Sequence, residues 1–82
     1  MTVVAQTEEL SAHLWDLRGQ AEAKRRCLTR LQQLVAQYQQ SSETDRAEKH
    51  RQIVADLTDL VTISKSLRSV ADQAFAAAAA LK

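Results

Sequence analysis

Gln39-Gln-Ser-Ser-Glu-Thr-Asp45 is the stretch at which a long apolar heptad pattern stops and then starts again. Ser42 followed three residues later by Asp45 resembles a capping box, in which a side-chain oxygen accepts from an orphan N–H at the start of a helix. On its amino-terminal side, residues recur in alternating steps of four and three: Leu10, Leu14, Leu17, Ala21, Lys24, Leu28, Leu31, Val35, Tyr38. On the other side the steps resume as His50, Ile53, Leu57, Leu60, Ser64, Leu67, Ala71, Ala74, Ala78, Leu81. A sustained 4-3 spacing is the mark of a helix packed along one seam. Two long helices joined by so short a break must lie antiparallel. The expectation is an all-α chain with one helical-hairpin unit over 1–82: a first helix over about 8–40, a turn at 41–44 and a second helix over about 45–81. Leu10 then lies level with Phe75, and Leu28 with Leu57.

Composition agrees with that reading. Proline is absent, Gly19 is the single glycine, and the aromatics are Trp15, Tyr38 and Phe75, so the turn and strand chemistry of a sheet is missing. With 45% apolar and 26% charged residues the 82-residue chain is built to fold, and its length leaves room for no multidomain enzyme. Five basic residues stand against four acidic ones over 1–40, and six against six over 41–82. Such a balance supplies no general field for steering nucleic acid. The first residues, Met1-Thr-Val-Val-Ala-Gln-Thr-Glu-Glu9, lack the basic start and apolar centre of a signal peptide. The longest apolar run, Ala74 to Leu81, falls short of the roughly 20 residues that span a bilayer. With a single cysteine, Cys27, these features lead to the expectation of a cytoplasmic protein in a reducing compartment. Thr7 is the expected N-cap of the first helix, with Glu8 and Glu9 at the positive end of its dipole.

The second helix has a wider apolar sector than one seam needs. Val54, Val61 and Phe75 follow one flank, and Ile63, Val70 and Ala77 the other. The matching flanks of the first helix carry Ser11, Arg18, Gln32 and Gln39, and His13, Gln20 and Cys27. A stripe that wide calls for contact with more than one helix, so the hairpin is expected to complete a four-helix bundle or coiled-coil assembly with another chain. Leu57, Val61, Leu67, Val70 and Phe75 are the expected partner-binding residues. Trp15, on a lane with Ala12, Gly19 and Ala23, is either a second anchor or a peripheral core side chain. The partner is a protein with a helical groove or a second copy of the chain, with no membrane and no small-molecule substrate.

The remaining features carry less. Lys24 and Ser64 interrupt the two seams within about a turn of one level, and either fix register or merely snorkel to water. Arg25, Arg26 and Arg30 could make a weak nucleic-acid regulator, but successive helical residues point about 100° apart and no aromatic interleaves them. His13, His50 and Cys27 lack the spacing of a zinc site or of a nucleophile with its base, and the acids Glu43, Asp45, Glu48, Asp56 and Asp59 lack that of a calcium loop. No catalysis, metal or cofactor is expected.

The Arg-rich run Lys24-Arg-Arg-Cys-Leu28, the polar turn Ser41-Ser-Glu-Thr-Asp45 and the second-helix residues Ile53, Leu57, Leu60, Ile63 and Leu67 together resemble the small E-type co-chaperones of type III secretion needle subunits. The likeness covers about residues 8–75 and rests on length and helix pattern. It implies a hairpin that pairs with a repeat-type helical chaperone, so that together they keep an aggregation-prone needle protein monomeric. The second-helix stripe would be the docking face. The alanine-rich tail after Phe75 departs from that pattern.

Overall fold

The computed structural model describes residues 3–81 and is an all-α antiparallel hairpin measuring 62 × 14 × 12 Å. Helix α1 spans Val3–Gln40 and helix α2 spans Glu43–Ala79. Each is about 57 Å long at 1.5 Å per residue. The connection is only Ser41 and Ser42, shorter than the expected turn at 41–44 because the capping residue itself starts the helix. Ser42 is extended (φ −67°, ψ 164°), and its Oγ accepts from the Asp45 N–H at 3.4 Å and donates to Asp45 Oδ2 at 3.3 Å. Glu43 and Asp45 sit in the first turn of α2, where negative charge meets the exposed N–H groups. Across the turn, the Ser41 hydroxyl donates to Gln37 O at 2.6 Å and closes the end of α1.

Three contacts across the hairpin set its register. Gln6 Nε2 donates to Ala80 O, Arg30 Nε to Asp56 Oδ2, and Lys49 Nζ to Gln37 Oε1, at 3.2, 2.8 and 3.0 Å. Each pair has residue numbers summing to 86, so residue i of α1 lies beside residue 86 − i of α2 along the whole length. That matches the expected levelling of Leu10 with Phe75 and Leu28 with Leu57 to within a residue. The alanine tail also finds a mate. Helix α1 begins no later than Val3, well before Thr7, and Gln6 reaches the carbonyl of Ala80. Thr7 is therefore not an N-cap: its hydroxyl donates back to Val4 O at 2.9 Å, one turn earlier within the helix. Nothing in Val3 to Gln6 breaks a helix, and α2 offers a surface alongside which it continues.

The seam is rotated by one row from the expected one. On α1 the buried and half-buried residues are Leu10, Leu17, Lys24, Leu31 and Tyr38 together with Gln6, His13, Gln20, Cys27 and Leu34, with Ala23 beside them. On α2 they are Ile53, Leu60, Leu67 and Ala74 together with Lys49, Asp56, Ile63, Val70 and Ala77, flanked by the half-buried Gln52, Ser64, Ser66 and Ala71. Of the rows Leu14, Ala21, Leu28, Val35 and His50, Leu57, Ser64, Ala71, Ala78, expected inside, all but the half-buried Ser64 and Ala71 turn outward to one side instead. The chosen rows enclose Cys27, Val70 and Ala74 between the helices. They also place Asp56 where it can hold Arg30 and where its carbonyl accepts from the Cys27 thiol at 3.4 Å. The core is thin: Cys27, Leu31, Val70 and Ala74 are the buried side chains among the described residues.

Gly19 lies on the outer side of α1 with a helical, negative φ, and an added Cβ would meet no atom within 4 Å. Gly19→Ala should therefore raise stability by about 0.5–1 kcal/mol through helix propensity alone. A thermal melt followed by circular dichroism checks this; a lowered midpoint would reveal a neighbour packed on the glycine.

Candidate partner-binding face

Because the two helices run antiparallel, rows displaced in the same sense from each seam share one side of the hairpin. One side collects the row Leu14, Ala21, Leu28, Val35 of α1 with the row His50, Leu57, Ser64, Ala71, Ala78 of α2. Beyond them lie the border rows, Val4, Ser11, Arg18, Arg25, Gln32 on α1 and Ala47, Val54, Val61, Arg68, Phe75 on α2. Leu28, Gln32 and Val35 form one wall of an open apolar groove, Leu57 the other, and Leu31 and Ile53 its floor. Leu14, Leu28, Val35, Val54, Leu57 and Val61 are each between 42% and 53% exposed, and Phe75 is 77% exposed. In an isolated hairpin these side chains stand largely in water, which is the unusual arrangement for so many aliphatic groups on one side.

The opposite side is polar. Arg30 and Asp56 form an ion pair across the hairpin there, Nε to Oδ2 at 2.8 Å, with the Asp56 side chain 15% exposed. The hydrogen bond to Asp56, and then the attraction of its charge, raise the Arg30 pKa above its ordinary value. Glu9 lies 3.9 Å from His13, and Gln6, Glu9, His13 and Gln73 border a shallow cleft lined by Ala76, Ala77 and Ala80 of the alanine tail. The hairpin is thus amphipathic across its thickness.

The expected partner-binding residues divide between surface and interior. Leu57, Val61 and Phe75 lie on the apolar side, as a docking role requires. Leu67 is half-buried in the seam, and Val70, 7% exposed, is part of the core between the helices. Val70 is therefore corrected from a docking residue to a packing residue: the row Ile63, Val70, Ala77, read as a surplus flank, is covered by α1. Trp15 is 67% exposed on the side of α1 farthest from α2, with the Arg18 guanidinium 5.5 Å from its ring centre. It borders the apolar side through Leu14 and Ser11 without belonging to the groove. Leu14, Leu28 and Val35 belong to the face but were assigned to the seam by their spacing. Their signal was present in the sequence, since an apolar row adjoining another apolar row can be either core or surface.

The other candidates separate. Arg25 and Arg26 border a shallow depression with Glu22, whereas Arg30 is held by Asp56 on the polar side. Cys27 is 1% exposed between the helices. Lys24 and Ser64 are both half-buried. Among the described residues no group of three His, Cys, Asp or Glu side chains could hold a metal ion, and no helix is long and apolar enough to cross a membrane. No protein-family model matches the chain, and comparison with curated proteins and with solved structures finds no match to either.

Proposed function

We propose that this chain is a non-catalytic protein-interaction module, a small co-chaperone or assembly factor that completes its thin core by taking partner helices onto the apolar face. The observation that carries the reading is the outward row Leu14, Leu28, Val35, Leu57, Val61 and Phe75, set beside a core of only four buried side chains among the described residues. Burying exposed aliphatic surface is worth roughly 25 cal/mol per Å2, and a helix laid in the groove buries both walls at once. A needle-subunit co-chaperone acting in the cytoplasm is the specific form suggested by the resemblance in helix lengths and turn. It acts through Leu57, Val61 and Phe75, with Leu14, Leu28 and Val35 supplied by α1 and Trp15 at the edge.

The double variant Leu28→Asp with Leu57→Asp tests this reading, because both side chains are about half exposed and tolerate charge in the free hairpin. Affinity capture from the protein's own cells should retain helical partners with the wild type and with the polar-side control Asp59→Ala, and lose them with the double variant. Identical capture by all three would overturn the assignment. Light scattering over a concentration series, run first, distinguishes self-assembly: a homo-oligomer dissolved by the same two substitutions would make the chain a scaffold instead.

A further inference from the structure

The net charge of +1 conceals a separation across the hairpin. In the four rows of the apolar side the charges are Arg18, Arg25 and Arg68, with Glu43 as the one acid, beside the turn. The four rows of the opposite side hold five acids, Glu9, Asp16, Asp45, Glu48 and Asp59, against Arg26 and Arg30. Arg18 and Arg68 have numbers summing to 86 and so stand at one level, one on each border of the face. Between them lie Ala21, Ser64 and Ala71, small side chains over which a helix backbone can approach closely. Arg25 and Arg68 make no ion pair within the hairpin among the described residues. Arg18 shares Glu22 at 3.7 Å, with both side chains over 60% exposed, a pairing that water screens and an incoming carboxylate can replace.

We infer that the occupant of this face is an amphipathic helix whose apolar stripe is bordered by Asp and Glu, and not a second copy of the chain. The inference rests on the reading of this face as the working surface and adds the chemistry of the partner. Two two-fold arrangements lay one copy face to face on another with the hairpins overlapping along their full length. The axis along the hairpin sets α1 over α2 of the second copy at equal level, which brings Arg18 onto its Arg68. The axis across the middle sets α1 antiparallel over α1 of the second copy, which brings Arg18 onto its Arg25. Either arrangement opposes guanidinium to guanidinium with only the exposed Glu22 beside Arg18 to offset them, whereas carboxylates on a different helix would meet all three arginines. A lipid surface also offers negative charge, but the face is a groove with Leu31 and Ile53 as its floor, and a groove is filled by the side chains of a helix.

The test uses the full chain with three probes: a long helical peptide carrying a leucine stripe with glutamate borders, the same peptide with lysine borders, and phosphatidylserine vesicles. Titration calorimetry at low and high salt should show the glutamate peptide bound at least about tenfold more tightly than the lysine peptide at low salt, with the preference shrinking as salt rises. The triple variant Arg18→Gln, Arg25→Gln, Arg68→Gln should erase that preference while keeping wild-type helicity by circular dichroism, and Leu57→Asp should remove binding altogether. Equal binding of both peptides, abolished by Leu57→Asp, would overturn the acidic partner and leave the apolar docking face standing. A dimer in sedimentation, or vesicle binding without peptide binding, would overturn the inference in favour of self-assembly or of a membrane. No binding by any probe, with Leu57→Asp indistinguishable from wild type, would overturn both the inference and the function on which it rests.

Discussion

Val70→Asp should unfold the hairpin or cost it about 3–5 kcal/mol, while Val61→Asp should change stability by less than about 0.5 kcal/mol. Both are valines on the same helix, nine residues apart, and sequence spacing placed both on flanks of a wide apolar sector. The structure separates them: Val70 is 7% exposed between the helices and Val61 is 53% exposed. A carboxylate at Val70 would lose its hydration between the helices, where Val70 is 7% exposed within a turn of the half-buried Leu17 and the buried Ala74. At Val61 it remains in water beside Arg25 at the same level. Urea titrations of the two variants, followed by circular dichroism, measure the difference. Equal losses would mean that the seam runs through Val61 and that the helices pack on the rows now assigned to the surface.

The companion expectation concerns α1. Leu31→Ala should cost about 2–4 kcal/mol, and Leu28→Ala less than about 1 kcal/mol. Leu31 is 7% exposed, the most buried of the large aliphatic side chains on α1, and it forms the groove floor with Ile53. Truncating it removes apolar contact and leaves a void, although the open side of the groove lets water or neighbouring side chains take up part of the space. Leu28 is 42% exposed and already forfeits much of what burial would give it. The comparison is best made by parallel denaturation of the two variants in one buffer. A larger loss for Leu28 than for Leu31 would reverse the assignment of core and face on this helix.

The hairpin itself was legible because its signals are local. Ser42 and Asp45 mark a cap by chemistry that operates within four residues, and the 4-3 spacing on either side requires helix whatever packs against it. The choice of seam was less legible for a physical reason. Leu10, Leu17, Leu31, Ile53, Leu60 and Leu67 belong to both possible seams, so the decision falls to the adjoining rows. By hydrophobicity alone Leu14, Leu28, Val35 and Leu57 outbid His13, Gln20, Cys27 and Asp56 for the interior. Hydrophobicity, however, does not register that Asp56 can hold Arg30. It also cannot register that the more apolar rows form a face of their own. The beginning of α1 was missed because Thr7 is as good a cap as it is a mid-helix residue bonded to the preceding turn. The candidate site was half legible: Leu57, Val61 and Phe75 were read from α2, but the contribution of α1 depends on the rotation.

That same rotation changes what the lone sulfur means. As the single cysteine of the sequence, Cys27 suggested a chain kept in reducing surroundings. In the folded hairpin its thiol is 1% exposed and spends its hydrogen on the Asp56 carbonyl. Thiolate attack and disulfide exchange require an approach to sulfur that the neighbouring helix blocks. Two folded copies therefore cannot be joined through Cys27, and oxidant in the medium finds no foothold until the helices part. The residue serves as a small hydrophobic filler, and sensitivity to oxidation is a property of the opened chain alone.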